Sequence, residues 1–212
     1  MTDAKLPVDE HRISSIAALE ALYGTPPRRS LVKETGRITP HYRSLIEASP
    51  FVAFASAGPE GLDCSPRGDV APVITVLDEV TLALPDRLGN NRIDTLRNIV
   101  ADPRVGLLFL IPGVGETMRV NGRAEITVAP ELLERFSVDG KRPRSVVLVH
   151  VTSVYFQCAR AVIRSRIWDP SRHVDRASVP SAGQICEALE SEPFDGAAYD
   201  AELPDRQRRT LY

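Results

Sequence analysis

Apolar residues recur along the chain at two different periods. Ile13, Ile16, Leu19 and Leu22 repeat at helical spacing, predicting a first helix over residues 9–23 that Gly24-Thr25-Pro26-Pro27 stops. A second helix is predicted over 39–48, with Thr39 as N-cap and Pro40 at the first helical position. From residue 51 the pattern changes to strands. Residues 51–57, the turn Gly58-Pro59-Glu60-Gly61 and residues 62–65 predict a hairpin. Further strands are expected at 70–77 and 80–84, with Pro72 confining the first to an edge or a bulge. Ile93, Leu96, Ile99 and Val100 restore helical spacing for one inserted helix between Arg92 and Ala101.

Residues 105–111 are apolar almost throughout, the mark of a strand covered on both faces. In the next strand Met118, Val120, Ala124 and Ile126 alternate with Arg119, Asn121, Arg123 and Glu125, so one face packs and the other is open to a ligand. A short helix over 130–136, a long strand over 145–157 and a helix over 181–189 follow; residues 192–212 are expected to be loosely held. Six or seven hairpin-linked strands with helices around them predict a mainly β protein with helices, built as a small antiparallel barrel.

Composition narrows the function classes. The chain has 212 residues, enough for one good core, and its 43% hydrophobic share includes no apolar run of the roughly eighteen residues a membrane span needs. Residues 1–12 carry no apolar signal-peptide core. A formal charge of −2 argues against a nucleic-acid partner held by bulk electrostatics. Cys64, Cys158 and Cys186 are odd in number and widely spaced, which fits a reducing cytoplasm and neither a disulfide framework nor a zinc pattern. His11, His41, His150 and His173 lack metal-ligand spacing, so no metal site is expected.

The chemistry concentrates between residues 62 and 127. Leu84-Pro85-Asp86-Arg87-Leu88-Gly89-Asn90-Asn91-Arg92 reads as a strand end, a polar turn and a helix start, with Asn90 or Asn91 as N-cap. A helix N-terminus flanked by Arg87 and Arg92 suits a phosphate. The plainer alternative pairs these arginines with Asp86 or Asp94.

Three phrases together resemble a known family. Ser65-Pro66-Arg67-Gly68-Asp69, the run from Leu84 to Asn98, and the run from Gly115 to Ala124 are similar, in this order, to the flavin-binding split-barrel proteins related to pyridoxamine 5'-phosphate oxidase, in particular their bacterial FMN-dependent branch. The likeness extends to Arg164-Ser165-Arg166-Ile167-Trp168 and covers roughly residues 30–170. It implies a split β-barrel of the FMN-binding type, working as a homodimer with FMN in the cleft between subunits. The implied domains are an N-terminal helical segment (1–30), the FMN-binding barrel (31–170) and a C-terminal helix and tail packing on it (171–212).

By the same resemblance, Arg67, Arg87 and Arg92 hold the FMN phosphate with help from Asn90 and Asn91, and Asp69, Val70, Pro85 and Asp86 edge the ring or the ribityl chain. Glu116, Thr117 and Arg119 come from the neighbouring subunit, and Trp168 caps the ring. The implied activity is an FMN-dependent oxidoreductase, its flavin reduced by a donor such as NAD(P)H and reoxidised by oxygen or a small-molecule acceptor; its catalytic residues are unknown. The family's vitamin-reading Arg-x-His is absent, since Arg172 and His173 are adjacent, so vitamin B6 is not the expected substrate. The rival readings are a non-catalytic flavin- or haem-binding protein with a sensing, storage or stress role, and an enzyme using a deazaflavin.

Other constellations lead nowhere. Nothing in the sequence brings Cys64 to His150, and Cys64 is expected in a half-buried strand. His150 is expected to be a satisfied mid-strand histidine, and no G-x-S-x-G elbow is present.

Overall fold

The computed structural model describes residues 11–212, which divide into a unit ending at Glu34 and a unit spanning Thr35–Tyr212. The first unit holds helices α1 (Ile16–Tyr23) and α2 (Arg28–Leu31). Ser15 takes the N-cap position of α1 by accepting the Ala18 N–H at 3.2 Å, so the helix starts at Ile16 and residues 11–15 stay outside it. Residues 9 and 10 of the expected helix lie outside the described residues.

The second unit opens with α3 (Pro40–Glu47), where the Thr39 hydroxyl accepts the Tyr42 N–H as the sequence predicts. Strands β1 (Phe51–Gly58) and β2 (Gly61–Gly68) form the expected hairpin, with Phe51 opposite Gly68. The second strand continues past residue 65 because it is an edge, where Pro66 can sit without its missing N–H being needed. The strand expected at 70–77 shrinks to β3 (Thr75–Val76). Pro72 has no N–H to donate, and the Val73 N–H goes to the Ser49 carbonyl at 3.0 Å rather than to a sheet neighbour.

There follow β4 (Thr81–Pro85), α4 (Asp94–Ala101), β5 (Arg104–Leu110), β6 (Thr117–Thr127), α5 (Pro130–Arg135) and β7 (Val146–Gln157). Strand β5 is not covered on both faces: Val105, Leu107 and Phe109 are buried, whereas Leu108 is exposed on the other side.

The chain ends in helices α6 (Arg160–Ser165), α7 (Ala182–Leu189) and α8 (Gly196–Arg209). The last is a correction to the loosely held tail expected at 192–212. Asp195 caps α8 by accepting the Ala198 N–H at 2.9 Å, and α7 and α8 pack where Gly183 meets Gly196. A Cβ on Gly183 would stand 2.0 Å from the Gly196 carbonyl oxygen, so the approach requires glycine. The tail has too few large apolar residues to announce a helix by periodicity.

Among the described residues seven strands form one antiparallel sheet in the order β2-β1-β5-β6-β7-β4-β3. The alternation expected for β6 holds, with Met118, Val120 and Ala124 buried and Arg119, Asn121, Arg123 and Glu125 exposed. Its pairing with β7 shifts at Asn121/Gly122, a bulge that leaves Thr152 without a cross-strand partner. Gly122 permits the close approach there, since a Cβ would lie 2.5 Å from the His150 carbonyl oxygen. Phe54, Phe109, Leu82, Leu107, Met118, Val120 and Val149 fill the concave side of the sheet, with Ile46 of α3 and Ile99 of α4 closing it.

Candidate functional site

A pocket of about 370 Å³ opens between the ends of β2 and β4. One wall is Pro66, Arg67 and Gly68 of β2 with Asp69 beyond its end; another is Leu84 and Pro85 of β4 with the loop that follows. In the sheet these strands are separated by four others. That both line one pocket means the sheet curls until β2 and the end of β4 face each other without closing, and the pocket occupies the seam. The β4–β7 pairing sets Pro85 opposite Val146 and lets the Asp86 N–H reach the Ser145 carbonyl at 2.9 Å, which brings Arg144 and Ser145 to the same rim. Val73, Leu84, Ile93 and Leu96 supply apolar lining.

One ion pair spans the seam. Arg87 Nε donates to Asp69 Oδ2 at 2.9 Å, with only 20% and 12% of the two side chains exposed, and Arg87 Nη1 donates to the Phe136 carbonyl at 2.7 Å. The other Asp69 oxygen accepts the Val70 N–H at 2.8 Å and the Tyr212 hydroxyl at 2.6 Å. Burial alone would lift the Asp69 pKa. The hydrogen bonds from Tyr212, Arg87 and the Val70 N–H, with the Arg87 charge, outweigh it and hold the carboxyl below its ordinary value. On the phenol the same bond to Asp69, reinforced by burial, raises the pKa.

Two further arginines face the pocket. Arg67 Nη2 donates to the Thr95 hydroxyl at 3.0 Å, and Arg144 Nη1 donates to Asn91 Oδ1 at 2.7 Å. Half-buried Asp86 lies within their field: desolvation raises its pKa, and the charges of Arg67 and Arg144 oppose that rise only in part. The pocket is therefore cationic with one reluctant carboxylate, an arrangement suited to a ligand that is anionic at one end.

The loop from Asp86 to Ile93 differs from the expected turn and cap. Helix α4 begins at Asp94 with Ile93 at its N-cap position, so neither Asn90 nor Asn91 caps it. Asn90 instead turns its side chain onto the Arg92 N–H at 3.1 Å, and Asn91 takes a left-handed backbone (φ 60°). Ile93 shares that conformation at φ 53°, which a β-branched residue rarely adopts, and this strained residue lines the pocket.

The structure thus brings Arg67, Asp69, Pro85, Asp86, Arg87, Asn90 and Asn91 together in one pocket. Val70 lies next to it and is exposed. Arg92 points elsewhere: it pairs with Asp94 at 2.8 Å and lines a separate hollow with Asp63 and Arg97. Of the two local pairings weighed for these arginines, Arg92–Asp94 forms, while Arg87 pairs with Asp69 instead of Asp86. Glu116 precedes β6, and Thr117 and Arg119 lie on it, away from this pocket, with Arg119 Nη1 donating to the Tyr155 hydroxyl at 2.9 Å. Trp168 donates to the Val114 carbonyl at 2.8 Å.

Arg144, Ser145 and Tyr212 escaped the sequence reading. The first two reach the rim only through β4–β7 pairing, and Tyr212 meets a residue 143 positions away. Cys64 is exposed, contrary to the half-buried placement expected, because β2 is an edge strand. His150 is satisfied as expected, with its Nε2 at 3.0 Å from Glu125 Oε1.

Residues 38–158 match the family model described as pyridoxamine 5'-phosphate oxidase. No curated protein matches the chain. Among solved structures, HupZ of Group A Streptococcus is similar at 17% identity over 57% of this chain and 94% of its own, with a TM-score of 0.48. General stress protein 26 of Bacillus anthracis is similar at 13% identity over 53% and 88%, with a TM-score of 0.42. A FAD-binding protein of Mesorhizobium loti is similar at 16% identity over 53% and 87%, with a TM-score of 0.39.

Proposed function

The chain belongs to the pyridoxamine 5'-phosphate oxidase family, and from that premise we propose that it is an FMN-dependent oxidoreductase whose cofactor occupies the seam pocket. The observation that carries this reading is the convergence of Arg67, Arg87 and Arg144 with the Asn90-Asn91 turn on one pocket between β2 and β4. Guanidinium groups and the Asn90 and Asn91 amides are the donor set a phosphate monoester requires. The apolar side chains beside them suit a flat aromatic ring, and the volume falls within the range of small-molecule sites.

In this reading Arg67 and Arg144 hold the phosphate together with Arg87, whose Nε and Nη1 are engaged and whose Nη2 has no protein hydrogen bond among the described residues. Arg92 contributes from the outer side of the same loop. Asp69, Val70, Pro85 and Asp86 border the ring or the ribityl chain. FMN when bound supplies the two-electron chemistry, so the chain need provide no nucleophile and no general base. Its residues bind, orient and shield.

A homodimer completes the site. Phe51, Leu108, Arg119 and Tyr155 share the outer face of the sheet, where Phe51 and Leu108 are exposed, and a second copy covers them. Glu116, Thr117 and Arg119 then reach the partner's cofactor, and Trp168 caps the ring. Three free cysteines support a reducing, cytoplasmic setting, and among the described residues no helix is long and apolar enough to cross a membrane. Arg172 and His173 line a different hollow with Ile167 and Val174, which supports a substrate other than vitamin B6.

Anaerobic addition of NADH or NADPH to FMN-loaded protein tests the activity. Bleaching of the absorbance at about 450 nm, with recovery on admitting air, is the expected result. Loaded protein inert to both donors and to dithionite-coupled acceptors would instead favour a binding protein without turnover.

A further inference from the structure

The C-terminal segment returns to the pocket and is fixed there at both ends of a single residue. Lys141 Nζ donates to the Tyr212 carbonyl at 3.0 Å, and the Tyr212 hydroxyl donates to Asp69 Oδ1 at 2.6 Å. Between them the Tyr212 ring lies 5.2 Å from the Arg87 guanidinium carbon, within cation–π range. Leu211, one residue earlier, is 62% exposed, so the chain turns Tyr212 inward at this point. The two pocket residues it touches are the two that bridge the seam.

We propose that Tyr212 is a positioning residue of the flavin pocket, fixing Asp69 and Arg87 so that the guanidinium is pre-organised for a phosphate monoester. The proposal rests on the flavin reading above. Its physical basis is a competition for Asp69. Unassisted, this carboxylate would turn both oxygens to Arg87 in a bidentate fork and occupy Nη2 as well as Nε. The Tyr212 hydroxyl and the Val70 N–H occupy Oδ1, which leaves Arg87 a single bond to Oδ2 and Nη2 free for an anion. The ring meanwhile restricts the guanidinium to one orientation, lowering the entropy lost when a phosphate binds. Tyr212 thus acts through Arg87 and need not touch the cofactor.

The test compares FMN with riboflavin, which differ only in the phosphate, by fluorescence titration of the full chain and its variants. Tyr212→Ala is expected to weaken FMN binding about tenfold and riboflavin binding less than about twofold, the loss of one charge-assisted contact's organisation. Tyr212→Phe keeps the ring and is expected to recover part of the FMN affinity. Far-ultraviolet circular dichroism of each variant checks that the fold is unchanged. Equal loss for both flavins, or none, would overturn the role of Tyr212 while leaving the flavin pocket standing. A wild type that takes up neither flavin would overturn the pocket reading and this proposal with it.

Discussion

Arg87 Nε donates to Asp69 Oδ2 at 2.9 Å, and through this contact the segment just beyond β2 is tied to the loop leaving β4. The curl of the sheet is held by packing of the core. The pair spans the gap that remains.

Removing one partner should therefore loosen the seam. Asp69→Asn keeps the shape and loses the charge, and it is expected to destabilise the fold by about 1.5–3 kcal/mol, the scale of a hydrogen bond to a charged group. Chemical denaturation of the two proteins, with equal m-values, measures it.

Acid should erase that difference. Asp69 has a folded pKa below its unfolded value of 3.8, so its contribution is present above that value and lost as pH falls through the folded one. The gap in melting temperature between wild type and Asp69→Asn is expected to be full at neutral pH and to close as the pH falls below 3.8 and through the lower folded pKa. A gap that persists at low pH would mean the bridge contributes nothing through charge.

The arginines should separate by position. Arg67→Ala and Arg144→Ala each remove a cation from the pocket and are expected to weaken FMN binding by on the order of tenfold to a hundredfold. Arg92→Ala removes a largely exposed group already paired with Asp94, and its effect should be smaller, about threefold or less. Titration of the three folded variants with FMN decides the order.

Gly122 gives a control far from the pocket. Gly122→Ala would press a methyl onto the His150 carbonyl at 2.5 Å and is expected to cost about 1–3 kcal/mol of stability by overpacking. FMN affinity should not change in the protein that still folds.

Much of the barrel could be read from the sequence because alternation reports directly on which side of a strand is buried. The β6 pattern from Met118 to Glu125 and the Thr39-Pro40 cap of α3 needed no tertiary information. Strand β5 misled for a physical reason: its outward Leu108 is as apolar as its inward Leu107 and Phe109, so composition alone implied two covered faces. The loop before α4 misled because Asn90 satisfies the Arg92 N–H and Ile93 bears the positive φ, a distribution that the Asn-Asn pair does not announce.

The candidate pocket divided along the same line. Residues contiguous with the Arg67 and Arg87 phrases were legible in the sequence. Arg144 and Tyr212 were not, since strand pairing brings in the first and the returning C-terminal segment brings in the second. Helix α8 was hidden by its small and charged residues; its capping Asp195 and the Gly183–Gly196 contact act through tertiary structure that no periodicity shows.

The most direct measurement of the central claim is the absorption spectrum of the purified protein, taken before and after addition of FMN and followed by heat release of whatever is bound. Bands at about 375 and 450 nm, with a released species whose mass is that of FMN in about one copy per chain, are the result expected of a flavin site. A colourless protein that leaves added FMN free in solution would contradict it.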